Sequence, residues 1–347
     1  MERNPFELSL LSILMKLFIL KFIPYCIALT IIMCYGAAYD PYEGDLVRLN
    51  YRQSLAEYST NTTPWQYQPT DKINPALPSV AIFGDSFLGT PNNQPFWTHL
   101  TNFNVIPFRS HDFQASNPID LCVNMADSVS RLLEENPDFV VIEMVERTFY
   151  DNTDNLKFKY REIQHAAEQK PFHNRRISDY GRDGITYIAR QLGLCIPPCQ
   201  NSVTSIRTSK APLLLPTELL VYSDDLSKRR SLSNNEIKHR YITTKELIEA
   251  EYPNSDVIIL IIPDKLTAYE DFISESLDID ESFLKSLHRP PHFVAPSLNW
   301  ISDAIASGQM EVYRYSDTHF GENGSKAIAQ NLDRLLQTRL TNALQQP

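Results

Sequence analysis

Five short apolar runs alternate with amphipathic segments along this chain, and the alternation restricts its fold more than any other feature. The runs lie at residues 79–84, 103–108, 138–144, 256–262 and 311–315. Each is rich in β-branched or aromatic residues and is typical of a strand, whereas the stretches between them carry helical signals. Strands that alternate with helices form a parallel sheet covered on both faces. We therefore predict an α/β fold, a three-layer α/β/α sandwich around a central, mostly parallel sheet of five strands.

A serine and an Asp-x-His pair follow the first and the last of these runs. Ser86 stands in a Gly-Asp-Ser turn, and Asp317 and His319 lie near the end of the chain. A serine hydroxyl becomes an effective nucleophile when an imidazole takes its proton and a carboxylate fixes the tautomer of that imidazole. Because the carboxyl ends of parallel strands lie at one edge of a sheet, the three side chains are expected to meet. The sequence thus predicts a catalytic triad of Ser86, His319 and Asp317.

The composition argues against nucleic acid and against the common cofactors. The formal net charge is −10 and the isoelectric point is near 5.3, whereas a protein that binds a phosphate backbone needs a basic surface. The sequence contains no H-E-x-x-H zinc motif, no Gly-rich phosphate loop and no dinucleotide fingerprint. We therefore expect no nucleic-acid partner, no metal and no cofactor.

An apolar leader opens the chain. Residues 17–38 are long enough to cross a bilayer, with Lys16 and Lys21 towards their N-terminal side, so the part that follows is expected to be exported. The leader, residues 1–38, is either a signal anchor, which its length favours, or a signal peptide cleaved after the small residues 36–38. The expected location is the cell envelope, on the periplasmic or extracytoplasmic side.

The remainder is expected to comprise a linker at 39–75 and a catalytic domain at 76–347, with an insertion at 151–241 that is too long for a simple crossover. The insertion has 15 Lys and Arg against 10 Asp and Glu, a local charge of +5. This excess predicts either attraction to an acidic polysaccharide or a solvated basic surface. Within the insertion, Cys195 and Cys199 form either a local disulfide, which an oxidising compartment would preserve, or two free thiols.

The serine turn and the Asp-x-His pair resemble those of the SGNH or GDSL hydrolase superfamily. The short spacing of Asp317 and His319, with an aromatic residue directly after it, is similar to the alginate O-acetyltransferase branch. So are two further blocks, Val-Glu-Arg-Thr-Phe-Tyr at 145–150 and Ile-Pro-Asp-Lys-Leu-Thr-Ala-Tyr at 262–269. In that branch the Asp-x-His pair usually precedes the serine, whereas here it follows, as in ordinary SGNH hydrolases. The resemblance implies a flavodoxin-like fold and serine-dependent acyl chemistry.

An acyl-transfer site also needs hydrogen-bond donors for the oxyanion of its tetrahedral intermediate. The backbone N–H of Ser86 is the first candidate. After the third strand, where the superfamily has an Asn, this chain has Arg147. We consider three roles for this residue: a cationic oxyanion donor, a ligand of an acidic sugar, or the partner of Glu143 or Glu146 in an ion pair.

Four more side chains are candidates for the oxyanion or the substrate. Asn117 and Asn124 are candidate amide donors, although Asn117 followed by proline is also typical of a helix cap. Lys265 and Tyr269 are expected either to line the cleft or to lie in a solvated loop after the fourth strand. Asp85, next to the serine, is expected to tie the turn through backbone hydrogen bonds.

These expectations point to an exported, membrane-tethered O-acyltransferase, with acetyl as the expected acyl group and a polysaccharide as the acceptor. The resemblance implies a membrane-bound acyl-donor partner. A carbohydrate esterase or deacetylase would use the same acyl-serine with water as acceptor, and the triad does not separate the two. A third alternative is a non-catalytic polysaccharide-binding or assembly subunit on the same fold.

Overall fold

The computed structural model describes residues 21–32, 74, 76–88, 95–110, 113, 115–133, 136–154, 203–209, 211–213, 217–227, 229, 232–287, 289–315 and 317–345. Contacts divide the chain into two compact units, residues 1–41 with 170–200 and residues 42–169 with 201–347. In the first unit, the described residues 21–32 form a helix with mostly exposed side chains. All elements named below belong to the second unit. No helix formed by the described residues combines the length and the apolar character needed to span a bilayer.

Several predicted segments fall wholly or mainly outside the described residues. They include most of the linker 39–75, the ends of the apolar run 17–38, and the insertion between residues 155 and 202 with Cys195 and Cys199.

The described part of the second unit contains six strands and eight α-helices. The strands are β1 Ser79–Gly84, β2 Asn104–Arg109, β3 Phe139–Val145, β4 Val203–Arg207, β5 Glu218–Tyr222 and β6 Asp256–Ile262. The helices are α1 Pro118–Leu133, α2 Glu146–Asp154, α3 Ser223–Ser227, α4 Asn234–Glu251, α5 Lys265–Tyr269, α6 Phe283–Ser286, α7 Ser297–Ala306 and α8 Glu322–Gln345. Short 3-10 turns lie at Ser86–Leu88, Phe96–His99 and Glu270–Phe272.

Four strands form one parallel sheet in the order β2-β1-β3-β6, which confirms the predicted parallel α/β arrangement. Val80 of β1 is the register partner of Val105 in β2 and of Phe139 in β3. Every residue of β1 and β3 is buried. Strands covered on both faces read as continuous apolar runs, which is why these segments stand out in the sequence.

The sheet has helices on both faces, and alternate residues of each strand serve the two sides. Val80 and Ile82 belong to the core on the side of α7 and α8. Ala81 and Phe83 belong to a second core on the side of α1 and α4. Side chains of a strand alternate in direction, so each strand contributes to both cores.

The predicted fifth strand at 311–315 does not join this sheet. Tyr313 instead makes an isolated antiparallel bridge to Phe320. The Gly321 N–H donates to the Val312 carbonyl at 3.0 Å, and the Arg314 N–H donates to the His319 carbonyl at 3.1 Å. The apolar run is buried as its composition demands, but it pairs with the residues that follow it in the chain. It thereby forms a turn at the edge of the fold.

The strand order fixes where a ligand crevice lies. The chain runs from β1 to β2 on one side of β1 and then returns to β3 on the other side. Such a reversal opens a crevice at the carboxyl ends of the two strands, where α/β folds bind their ligands. Ser86 follows β1 at this edge, and Glu146 follows β3. The described part of the insertion adds an antiparallel pair, β4 and β5, outside the parallel sheet.

Candidate active site

Ser86 is presented by a tight turn directly after β1. A Cβ atom at Gly84 would overlap the carboxyl group of Glu143 and the side chain of Leu88, so a larger residue at this position would have to displace both side chains. The Leu88 N–H donates to the Asp85 carbonyl at 3.3 Å and closes the 3-10 turn Ser86–Leu88. Ser86 itself is exposed, and a substrate can therefore reach its hydroxyl.

The structure brings Ser86, His319 and Asp317 into one hydrogen-bonded line. The Ser86 Oγ lies 2.8 Å from His319 Nε2, and His319 Nδ1 lies 2.6 Å from Asp317 Oδ1. A carboxylate only accepts hydrogen bonds, so the proton of a neutral imidazole stays on Nδ1. The lone pair of Nε2 then faces the serine hydroxyl. This is the geometry of an activated serine nucleophile.

The turn between Tyr313 and Phe320 sets the position of the imidazole. Asp317 Oδ1 also accepts the backbone N–H of His319 at 3.1 Å. Asp317 and His319 are 2% and 8% exposed, so water competes little for these contacts. The ring centre of Phe87 lies 4.8 Å from those of His319 and Phe320. The residue after the nucleophile therefore packs against the base.

Lys265 fastens this turn to the end of β6. Its Nζ donates to the carbonyl oxygens of Arg314 at 2.7 Å, Tyr315 at 2.8 Å and Asp317 at 3.2 Å. The prediction that Lys265 lines the cleft or lies in a solvated loop was wrong, because the residue is only 1% exposed. Three carbonyl acceptors satisfy the three ammonium donors and make its burial tolerable.

Tyr269 does not line the cleft either. It is fully buried at the end of α5, with its ring centre 6.2 Å from that of Tyr313. Burial raises the pKa of its phenol above the usual value. The Tyr313 hydroxyl in turn donates to the Pro263 carbonyl. Tyr269 thus packs against the turn at residues 313–320 that carries Asp317 and His319.

Arg147 is held in an ion-pair cluster and is not a free oxyanion donor. Its Nη1 donates to Asp264 Oδ1 at 2.6 Å and to Asp225 Oδ1 at 3.1 Å, and its guanidinium lies over the Tyr222 ring at 5.6 Å. Its ion-pair partners are therefore not the predicted Glu143 or Glu146. Although burial lowers the pKa of Arg147, the nearby carboxylates raise it further, so the group stays charged.

The two candidate asparagines serve helix α1. Asn117 Oδ1 accepts the backbone N–H of Asp120 at 2.8 Å, which is the contact of an N-terminal cap. The Asn124 side-chain amide donates to the Asp120 carbonyl at 2.7 Å. Neither contact points to an oxyanion role. The Ser86 N–H thus remains the predicted oxyanion donor.

Sequence reasoning missed a cluster of buried carboxyl groups around Arg147. Glu146, Asp225 and Asp264 are 4%, 0% and 2% exposed. Glu146 Oε2 accepts the Asp264 N–H at 2.9 Å, and Glu146 Oε1 accepts the Ser282 hydroxyl. Burial, and then the neighbouring carboxylates, raise the pKa values of Glu146 and Asp264 to about 7. One available signal was that Glu146 directly follows β3 and that Asp264 lies two residues after the end of β6.

A small cavity lies beside these carboxyl groups, with room for about one water molecule. Glu146, Arg147 and Arg229 are among the residues that line it. Within the described ranges, His, Cys, Asp and Glu side chains form no group of three that could hold a metal ion.

Comparison of the chain with protein-family models, with curated proteins and with solved structures gives no match. The resemblance to SGNH hydrolases therefore stays a prediction from the sequence. The chemistry that the geometry permits is transfer of the Ser86 proton to His319, with Asp317 stabilising the resulting imidazolium.

The Lys265 contacts lead to a stability prediction. Lys265→Met keeps most of the side-chain volume but leaves three carbonyl groups without their donor. We expect the free energy of unfolding to fall by about 2 to 4 kcal/mol, measured by urea denaturation. The control Lys326→Met removes the exposed ion pair to Glu322 and should cost less than about 1 kcal/mol. Equal losses of unfolding free energy in the two variants would contradict the role of Lys265 in holding this turn.

The carboxyl cluster leads to a pH prediction. The pKa of Glu146 is about 7 in the fold against an ordinary 4.5, so the folded chain binds this proton more tightly than the unfolded chain. The protonated Glu146 therefore contributes fully to the free energy of unfolding below about pH 4.5, and this contribution is lost as the pH rises to about 7. The loss is at most about 3 kcal/mol. Urea denaturation across this pH range should show a smaller loss of unfolding free energy for Glu146→Gln than for the wild type. Parallel pH curves would contradict the assignment.

Proposed function

We propose that the chain is an exported, membrane-tethered O-acyltransferase that acts through an acyl-serine intermediate, with acetyl as the expected acyl group and a polysaccharide as the acceptor. The observation that carries this proposal is the hydrogen-bonded line from Ser86 through His319 to Asp317. A serine, a buried imidazole and a buried carboxylate in this order are the parts that acyl transfer needs. The approach of the residues to one sheet edge adds support, because α/β folds place their chemistry there.

In the first half-reaction, His319 Nε2 takes the proton of the Ser86 hydroxyl as Oγ attacks the acyl carbonyl. The tetrahedral intermediate collapses, the imidazolium protonates the leaving group, and the acyl group stays on Ser86. In the second half-reaction, Nε2 takes the proton of an acceptor hydroxyl, which attacks the acyl-serine. Collapse of this intermediate returns the proton to Ser86 Oγ and releases the acylated acceptor.

The nature of the acceptor is supported by sequence features. The blocks at 145–150 and 262–269 resemble the alginate O-acetyltransferase branch, and the insertion carries an excess of positive charge that would attract an acidic polysaccharide. The apolar run at 17–38 supports a membrane tether and a location in the cell envelope. A membrane-bound partner would deliver the acyl group to the exported side.

A carbohydrate esterase is the second candidate, favoured by the exposure of Ser86. Water that reaches an acyl-serine hydrolyses it unless a bound acceptor excludes that water. The two functions share their first half-reaction and differ only in the acceptor of the second.

The decisive experiment uses the full-length chain in detergent micelles with an activated aryl acetate, with and without an oligosaccharide. We expect acetylated sugar from the wild type, and Ser86→Ala should lower the rate by at least about 10³-fold because the nucleophile is lost. Mass spectrometry of the sugar and titration of released acetate separate transfer from hydrolysis.

Ser307→Ala is the matched control, since it removes a hydroxyl that only caps the end of α7 at 2.7 Å from the Ala304 carbonyl. Acetate without acetylated sugar would favour the esterase. Activity that survives in Ser86→Ala would refute serine catalysis, and inactivity of the wild type towards every acceptor would favour a non-catalytic binding subunit.

A further inference from the structure

Glu143 is an acidic residue inside a strand that is otherwise apolar. It lies in β3, is 0% exposed, and has no ion-pair partner among the described side chains. Burying a carboxyl group costs free energy unless it is neutral or fully hydrogen-bonded. The burial of this carboxyl group in the middle of the sheet therefore calls for a structural or functional explanation.

The Glu143 carboxyl group reaches across to the turn that presents Ser86. It occupies the space where a side chain at residue 84 would begin, so the glycine at the end of β1 leaves room for this carboxyl group. Its Oε2 accepts the backbone N–H of Asp85 at 2.9 Å. The residue directly before the nucleophile is thus hydrogen-bonded to the neighbouring strand.

The Asp85 carboxyl group adds a second hydrogen bond between the turn and β3, this time with a donor on the strand. Its Oδ2 accepts the backbone N–H of Val145 at 3.3 Å, and its Oδ1 accepts the backbone N–H of Phe87 at 3.2 Å. The turn is therefore fastened to β3 on one side of Ser86 and braced internally on the other. Phe87 in turn packs against the His319 ring.

The Asp85 carboxyl group also lies close enough to Glu143 for its charge to oppose ionisation of Glu143. Two carboxyl groups this close in a buried setting cannot both be ionised, so one carries a proton. Asp85 accepts two backbone N–H groups and feels the charges of Arg147 and His319, which stabilise its ionised form. Glu143 accepts one, and its Oε1 accepts no hydrogen bond from any described residue.

The proton therefore belongs on Glu143. Burial, and then the nearby Asp85 carboxylate, raise the pKa of Glu143 well above its usual value. The pKa of Asp85 is also raised, chiefly by burial, but its hydrogen bonds and the charges of Arg147 and His319 oppose that rise.

We propose that Glu143 is a positioning residue for the nucleophile: as a neutral carboxylic acid it accepts the Asp85 N–H, donates its proton to the Asp85 carboxylate, and so holds Ser86 within reach of His319. This inference rests on the proposed serine-dependent acyl transfer. Glu143 contacts neither substrate nor the Ser86 hydroxyl and acts only through the turn.

Two variants of the full-length chain separate this role from simple packing. Glu143→Gln keeps the shape of the neutral acid, since its amide oxygen can accept the Asp85 N–H and its amide nitrogen can donate to the Asp85 carboxylate. Glu143→Leu keeps a similar volume but makes neither contact. The Asp85 N–H is then left without its acceptor.

The first measurement is the urea midpoint of the wild type and of Glu143→Gln from about pH 5 to about pH 9. A raised pKa in the fold means that the wild type loses stability as the pH rises towards that pKa, whereas an amide cannot ionise. We expect the midpoint of Glu143→Gln to rise relative to the wild type over this range. A difference that stays constant with pH would overturn the protonated Glu143. This readout needs no catalytic activity.

The second measurement is kcat and KM for an activated aryl acetate, normalised to the folded fraction of each variant. We expect Glu143→Leu to lower kcat on the order of 10- to 100-fold with little change in KM. Glu143→Gln should stay within about threefold of the wild type, with its alkaline limb moved to higher pH. Equal kcat for the wild type and Glu143→Leu would overturn the positioning role.

The same data distinguish failure of the proposed function from failure of the positioning role alone. A wild type with no Ser86-dependent activity overturns the proposed function and the positioning role together, while the midpoint measurement still decides where the proton lies. An active wild type with an unaffected Glu143→Leu overturns the positioning role alone. If Glu143→Leu does not fold, a Glu143→Gln variant that has lost more than about tenfold in kcat overturns the proposal.

Discussion

The candidate site depends on the buried ammonium group of Lys265. This single group binds three carbonyl oxygens of the turn that carries Asp317 and His319, and it does so from the first residue of α5, the helix that follows β6. The last segment before α8 lies outside the parallel sheet, so strand pairing cannot place it. A charged donor with three acceptors replaces the missing ladder of backbone hydrogen bonds. Lys265 thereby fixes His319, the base of the candidate triad, relative to the same sheet that carries Ser86.

Buried carboxyl groups that a stable core would avoid gather around the carboxyl edge of the sheet. Glu143, Glu146, Asp225 and Asp264 are all buried there, partly compensated by Arg147. Such groups cost more in desolvation than well-packed apolar residues would, so they weaken the fold locally. Functional sites commonly retain this kind of cost, because precise placement of a few polar atoms requires it.

Continuous apolar strands were the part of the fold that the sequence made visible. β1 and β6 have the predicted bounds, and β2 and β3 begin and end one residue later than predicted. Residues 311–315 were also predicted as a strand, although Glu311 and Arg314 interrupt their apolar pattern, and composition does not reveal which segment such a run pairs with. Lys265 and Tyr269 were misplaced for a related reason. The acceptors of Lys265 are backbone carbonyls about fifty residues away, and a carbonyl carries no sequence signature. The sequence predicted that Ser86 and His319 lie close together by placing both at strand ends of one sheet, whereas the structure brings His319 to Ser86 through the turn at 313–320, outside that sheet.

The two halves of the hydrogen-bonded line are separated by 233 residues in the chain. At typical rates of synthesis, Ser86 leaves the ribosome about 10 to 50 s before its base does. During that interval the hydroxyl is an ordinary serine, because its hydrogen-bond partner His319 has not yet been synthesised. Nucleophilicity would then arise only when β1, β3, β6 and the final turn have assembled. Under the proposed function, Ser86 could therefore not be acylated before the chain has been fully synthesised and folded.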